Sequence, residues 1–233
     1  VGVNPLRGQN NVQGAADMGC QPHQGAGYFP VADKKIQNFY TEKYGVVHPT
    51  KAGLKIPQIF DAAINKEVKA VWIIGEDVVQ TDPNSAHVAK AMNALDLLVV
   101  QEIFLSETAK HADVVLPGTT FLEKDGTFTN TERRVQRVNR AAKPLPGTKP
   151  DGVIVTEMMQ KLGSNQPIYD ADEVLAEIAD VVPFFKGITR ERLGKMGLQW
   201  PVKEDGTDTK ILHEKEFKLG KGRIKFFDFK ESA

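Results

Sequence analysis

A single cysteine, Cys20, stands in 233 residues. One thiol excludes, within this sequence, a disulfide framework, a cysteine-rich zinc site and a four-cysteine iron–sulfur site. It fits a reducing compartment, and no secretory signal pattern is present. Long hydrophobic runs are missing too. The longest, Val68 to Gly75, is interrupted by Lys69 and falls far short of the ~20 apolar residues that cross a bilayer. Membrane insertion is therefore not expected. Charge of one sign is absent: 30 Lys and Arg balance 30 Asp and Glu, which gives no reason to expect a nucleic-acid partner. Neither Gly-x-Gly-x-x-Gly after a strand nor Gly-x-x-x-x-Gly-Lys-Ser/Thr occurs, so no motif indicates NAD or ATP. The five histidines are scattered and none has metal-ligand spacing; they read as surface residues, and no metal ligand is assigned.

What is present is an ordinary globular composition, 41% apolar and 26% charged, enough for one large domain or two small ones. Its most unusual stretch is Arg7-Gly8-Gln9-Asn10-Asn11-Val12-Gln13-Gly14, with one arginine and four carboxamides in eight residues. Such side chains compete with backbone hydrogen bonding, so the stretch reads as a loop. Its arginine offers a planar fork of donors suited to a carboxylate or phosphate. The sequence starts at Val1 rather than at methionine and reads as an internal piece of a longer protein, with Val1-Gly2-Val3 ending a strand.

Periodicity organises the middle of the chain. A helix is expected from Asp33 to Tyr44, stopped by Gly45. Ile56, Ile59, Phe60 and Ala63 fall at helical spacing, with Pro57 in the first turn. Val68 to Ile74 is a β-rich run. Val88, Met92 and Leu95 mark a helix that Asn84 or Ser85 could cap. Leu97 to Val100 and Asp113 to Leu116 read as strands, with a helical turn at Glu107 to Ala112. The alternation predicts an α/β fold: a Rossmann-like parallel sheet flanked by helices and buried on both faces. Lys124-Asp125-Gly126-Thr127 is a hairpin signal, followed by a polar β-ribbon to Val138 and a proline-rich linker through Pro144, Pro146 and Pro150. Val155, Met158, Met159 and Leu162 form one helical face closed by Gly163. Leu175, Ile178, Ala179 and Val182 form a second, with Asp172 as its cap. Thr189 to Met196 reads as a third helix and Arg223 to Phe229 as a strand.

Ligands of open α/β sheets bind at the carboxyl ends of the strands. Asp77 follows the Val68–Gly75 strand, Thr81 and Asp82 come shortly after, Gln101 ends the next strand and Gly118 follows the third. Together they make a nucleotide site at that edge plausible, although each alone also suits a cap or turn. The Glu132-Arg133-Arg134-Val135-Gln136-Arg137 cluster with Arg140 reads as a solvated charged face.

The run Gly2 to Gly19 resembles the segment that crosses the active site of molybdenum- or tungsten-dependent formate dehydrogenases. Gly75-Glu76-Asp77 through Asp82, Val100-Gln101, Val114-Val115-Leu116-Pro117 and Phe121 to Arg134 resemble the same family in order, in its cytoplasmic, often NAD-linked type. The resemblance implies the catalytic subunit, oxidising formate to carbon dioxide with release of two electrons. It implies bis-molybdopterin guanine dinucleotide with molybdenum or tungsten. A 4Fe-4S cluster and the cysteine or selenocysteine on the metal would come from other parts of the parent. Arg7 would grip formate and Gln9 would lie beside it and the cofactor. Asp77, Thr81, Gln101, Gly118 and Asp151 would contact the nucleotide. Partners would be formate, the remaining domains of the parent and electron-transfer subunits. The implied organisation is an active-site loop over 1–30, an α/β domain over 31–120 with the helix 151–163, a ribbon and linker over 121–150, and a helical C-terminal part over 164–233 belonging to a neighbouring lobe. Alternatives are a nitrate or arsenite enzyme of the same superfamily, and a non-catalytic nucleotide-binding domain.

Overall fold

The structure, a computed structural model, describes residues 6–214 and Phe217. Val1-Gly2-Val3 and the strand expected at Arg223 to Phe229 lie outside the described residues.

Residues 8–11 form bends and turns, but the expected loop ends early: Val12–Asp17 is a helix, α1. Gln13 does not compete with the backbone because its amide is engaged elsewhere, donating to Asp17 one turn on at 2.8 Å. A minimal antiparallel pair follows, β1 (Gln24–Gly25) and β2 (Phe29–Pro30). Then comes α2 (Lys34–Tyr44), capped by the Asp33 carboxylate and ended by left-handed Gly45, as the sequence indicates.

The α/β layer begins at α3 (Ile56–Ile64), with Pro57 in the first turn. It continues through β3 (Ala70–Ile74), the short α4 (Val78–Thr81), and α5 (Ser85–Ala94), which Asn84 caps. β4 (Leu97–Glu102), a 3₁₀ turn at Thr108–His111 and β5 (Val114–Pro117) complete it. The three strands are parallel in the order β3-β4-β5, with Ile74 opposite Gln101 and Gln101 opposite Leu116. Their carboxyl ends therefore line up. Phe60, Ala63, Val88, Ala91 and Met92 from the helices pack on Ile73, Leu98 and Val100 of the strands. The other face is less covered than expected: Ile74, Leu97 and Val114 are 47%, 41% and 42% exposed. Side chains alternate along a strand, and α3 and α5 cover only the face to which Ile73, Leu98 and Val100 point.

The ribbon pairs β6 (Gly126–Thr129) with β7 (Arg134–Val138) antiparallel. Its turn is Asn130–Arg133, not the Asp-Gly pair at 125–126, which instead leads into β6. The Asn130 side chain accepts from Glu132 and Arg134 backbone N–H groups at 3.1 and 3.0 Å, and Arg133 adopts φ +65°. Side-chain mimicry of a backbone turn by asparagine supplied the stronger signal.

α6 (Asp151–Lys161) buries Ile154 and Thr156, whereas Met159 and Leu162 of the expected face are exposed. Thr156 turns this helix: its hydroxyl donates to Gly152 O at 2.9 Å and accepts from Tyr169 N at 3.0 Å. α7 (Ala171–Val181) is capped by Asp170 rather than Asp172, since Asp170 reaches the N–H groups of both Asp172 and Glu173. α8 (Arg190–Leu193) stops short of Met196 because Gly194 leaves the helical region. β8 (Leu198–Gln199) adds a third strand beside β7. A second core gathers Tyr40, Val135, Leu175, Val182, Phe185, Ile188 and Val202, with Phe29, Phe184 and Trp200 against it. Through Tyr40, α2 packs with this lobe, not with the α/β layer to which the sequence reading of 31–120 attached it.

Candidate functional site: the sheet edge and the polar turn

Gln101 lies near the end of the central strand and is 1% exposed. Its Nε2 donates to Asp151 Oδ1 at 2.7 Å, and its Oε1 is buried with no partner among the described residues. A buried acceptor left unmade is costly. Gly118 follows β5 and is bridged to Lys149; a Cβ there would stand 3.2 Å from Asp151 Oδ1. Asp151 opens α6, where the helix dipole favours negative charge. Its second oxygen takes the Lys124 ammonium, which also donates to Thr119 O at 3.3 Å. Thr119 is 2% exposed, and its hydroxyl is also without a partner among the described residues. Gln101, Gly118 and Asp151 thus come together, joined by Lys124 and Thr119. Sequence reasoning missed Lys124 because the Lys-Asp-Gly-Thr run had been assigned to a turn.

Asp77 stands on the neighbouring strand end but is engaged within the chain. It accepts from Thr108 N at 2.8 Å, Thr108 Oγ1 at 2.6 Å and Glu107 N at 3.3 Å, holding the start of the Thr108–His111 turn. Burial opposes its charge, but the Thr108 hydroxyl and these backbone N–H groups hold its carboxyl below the usual range. Thr81 is exposed at the end of α4, and its hydroxyl donates to Glu76 at 2.6 Å. Neither touches the Gln101–Asp151 cluster through these bonds.

Arg7 and Gln9 are exposed on the polar turn. Asn11 closes that turn by accepting from Thr129 N at 2.9 Å, which ties it to the ribbon. A cavity of about 310 Å³ lies between Asn11 and Asp151; Arg7, Gln9, Gln101 and Gly118 do not line it. Asn11 and Met18 line it from the turn, Lys124, Asp151 and Gly152 from the sheet edge, and Phe128, Tyr169 and Leu175 from the sides. Tyr169 lies over Gly152, where a Cβ would meet its ring at 2.4 Å.

Arg133 of the basic cluster points inward. Its guanidinium sits 5.3 Å from the Trp200 ring centroid and donates to Trp200 O, and to Thr209 O at 3.1 Å. It is a staple between ribbon and C-terminal lobe, not the solvated charge expected. Among the described residues no group of three or more His, Cys, Asp or Glu could hold a metal ion, and no helix is long and apolar enough to cross a membrane.

An open parallel α/β sheet with a polar cluster at the carboxyl ends of its strands defines the class to which ligand-binding sheets of this type belong. A family model described as molybdopterin oxidoreductase matches residues 3–161. The chain belongs to the molybdopterin oxidoreductase family. It is 44% identical to the F420-dependent formate dehydrogenase subunit alpha of Methanocaldococcus jannaschii, covering 100% of this chain and 35% of that protein. It is 46% identical to the F420-dependent formate dehydrogenase 1 subunit alpha of Methanococcus maripaludis, over 91% of this chain and 32% of that one. The chain thus spans about a third of these relatives. Among solved structures, the acetylene hydratase of Pelobacter acetylenicus superposes with a TM-score of 0.51 at 21% identity, over 67% of this chain and 22% of that one. That likeness concerns the fold alone.

Proposed function

We propose that this chain is part of the catalytic subunit of a formate dehydrogenase, supplying the substrate-gripping turn and one nucleotide-holding sheet edge. The observation that carries the reading is the buried, unpartnered Gln101 Oε1 beside Asp151 at the strand ends, in a chain so similar to formate dehydrogenase alpha subunits. A molybdopterin in its guanine dinucleotide form fits the cluster. Guanine presents adjacent N–H donors, and the orphaned Gln101 Oε1 and the Asp151 carboxylate are acceptors. Gly118 leaves room for close approach, and the Lys124 ammonium can donate to a carbonyl oxygen or a phosphate. Asp77 has both oxygens engaged internally and one acceptor position left, on Oδ2. Thr81 and Gln9 are accessible for lesser contacts.

When bound, the cofactor with its molybdenum or tungsten accepts the two electrons of formate oxidation. The residues of this chain do the rest. The Arg7 fork binds the formate carboxylate in two parallel hydrogen bonds, fixing its orientation and complementing its charge. The carboxamides of Gln9 and Asn10 border the same turn. A 4Fe-4S cluster, the metal's protein ligand and electron-transfer subunits belong to the rest of the parent, which works in the cytoplasm. The test is the complete subunit, assayed with a dye acceptor on formate and on nitrate, with metal and guanine nucleotide measured per subunit. Formate turnover with both groups bound supports the reading; nitrate reduction without formate oxidation overturns it.

A further inference from the structure

Two of the buried polar atoms without a partner among the described residues, Gln101 Oε1 and Thr119 Oγ1, belong to the sheet edge. Lys124 connects the residues that carry them. Its ammonium is paired with Asp151 Oδ2 and donates to Thr119 O at 3.3 Å. Asp151 Oδ1 in turn accepts from Gln101 Nε2 at 2.7 Å. One cation therefore reaches Thr119 directly and Gln101 through a single carboxylate.

The local sequence fixes where Lys124 stands. Phe121–Glu123 is a 3₁₀ turn closed by Glu123, whose Oε2 accepts from Thr120 N at 2.9 Å and Thr120 Oγ1 at 2.8 Å. Glu123 Oε1 accepts from Leu145 N at 3.1 Å, which ties the turn to the linker as well. Lys124 leaves this turn with extended backbone. Its side chain, 26% exposed, returns to Thr119 ahead of the turn and reaches Asp151, the first residue of α6.

The polarity of Gln101 follows from this arrangement. A carboxylate only accepts, whereas a carboxamide has a donor end and an acceptor end. With Asp151 held in place, the amino end of Gln101 faces it, since the reverse would set two acceptors against each other. The carbonyl end is then left as a buried acceptor, where an unmade bond is costly. Without Lys124 the Asp151 side chain, 37% exposed, is free to swing towards water, and the Gln101 amide loses the group that orients it.

We propose that Lys124 is a positioning residue for the nucleotide: through Asp151 it orients the Gln101 amide, so that the sheet edge offers acceptors to a base edge carrying adjacent N–H donors. Guanine has such an edge, whereas adenine sets an acceptor beside its amino group. The proposal rests on the reading of this edge as the guanine site.

The test uses the complete subunit, with guanine nucleotide released by acid and counted per subunit and the thermal midpoint measured alongside. Lys124→Met should lower guanine content at least twofold, and a smaller loss overturns the proposal. Lys124→Arg should keep more than half of the wild-type content, because a cation of that reach still holds Asp151; a loss equal to that of Lys124→Met overturns it. Gln101→Met separates positioning from direct contact. If Lys124 acts through Gln101, adding Lys124→Met to Gln101→Met causes a clearly smaller fold-loss than Lys124→Met alone. An equal loss in both backgrounds means that Lys124 holds the ligand itself, and the positioning role is overturned. If Lys124→Met does not fold, Lys124→Gln takes its place throughout, since its amide stops one bond short of the ammonium. A wild-type subunit that contains no guanine nucleotide sinks the reading of the edge instead. Thermal midpoints then judge Lys124 alone: the shifts caused by Lys124→Met and Gln101→Met should be non-additive, as for residues of one hydrogen-bond network, and additive shifts overturn the coupling.

Discussion

In the α/β layer, Phe60, Val88, Met92, Leu98 and Val100 meet through elements that follow one another along the chain. In the ribbon lobe, Tyr40, Val135, Leu175 and Val202 meet from four distant stretches, and Trp200 reaches back to Asp17. The first core fixes a sheet edge, on which Gln101 and Gly118 are presented at set register. The second holds the polar turn through α1 and its ties to Trp200 and Thr129. One half of the site is thus a property of local periodicity, and the other of long-range closure. Each core can be disturbed separately to ask which half fails.

The largest effect is expected at the turn itself. Arg7→Ala in the complete subunit should lower kcat/KM for formate by at least ~10²-fold, since loss of positioning has that scale. Arg7→Lys should recover only part, because a point charge does not reproduce a planar fork. Metal and nucleotide content should stay near wild type, the sheet edge being untouched. Near-normal kcat/KM at full loading would break the assignment of the turn to substrate.

Next come the two cores. Phe185→Ala should destabilise the fold by about 3–5 kcal/mol and Met92→Ala by about 2–5 kcal/mol, as both side chains are 2% exposed. Their local signatures should differ. Amide exchange should rise across residues 12–17 in Phe185→Ala and across 97–102 in Met92→Ala. Equal exchange profiles in both variants would mean that the cores unfold as one unit and that the contrast between them has no thermodynamic meaning.

The same contrast explains what was legible beforehand. The helices at 34–44, 56–64 and 85–94 and the three parallel strands carried their periods and caps in adjacent residues, and they stand close to where those signals put them. The alignment of the strand ends followed, because the register of three parallel strands sets where each one stops. The ribbon turn was misread, since Asp-Gly competes with Asn130 for the turn and only the register of β6 with β7 decides between them. The buried face of α6 was misread because Thr156, not the methionines, is drawn inward by Tyr169. Asp17, Lys124 and Trp200 gave no local sign at all. Each acquires its role from a partner at least 27 residues away, as with Lys124 and Asp151.

A smaller effect is expected at Asp77, at the margin of the edge. Asp77→Ala should cost about 1–3 kcal/mol by leaving the Glu107 and Thr108 donors unmade. Its depressed folded pKa adds a pH signature. The unfolded chain binds the proton first as pH falls, so the contribution is complete above the unfolded value near ~3.9 and is lost as pH drops through the folded one. The acid limb of thermal midpoint against pH should therefore be shallower in Asp77→Ala. Nucleotide content should fall less than in Asp151→Ala. A larger fall than in Asp151→Ala, with an unchanged acid limb, would move the centre of guanine recognition back to Asp77.

The smallest change to the fold, and the sharpest test of the edge, is Gly118→Ala. Glycine here is not demanded by backbone conformation, since Gly118 is not among the residues with positive φ. It differs in this from Gly19 and Gly197, where φ is positive and a Cβ would meet backbone atoms at 2.3 and 2.2 Å. At Gly118 the nearest atom to an added methyl is Asp151 Oδ1 at 3.2 Å, the end of a side chain that can give way by a few tenths of an ångström. Stability should change by no more than ~0.5 kcal/mol, the range of substitutions that meet no rigid neighbour. The ligand is a different matter. A methyl between β5 and Asp151 nudges the carboxylate while its bond from Gln101 is kept, and it fills the place where a base would approach the backbone. Guanine nucleotide content should therefore fall several-fold in a protein whose thermal midpoint is unmoved. Full nucleotide loading in Gly118→Ala would show that the base does not pass over this strand end, and the ligand's nucleotide part would have to be sought elsewhere.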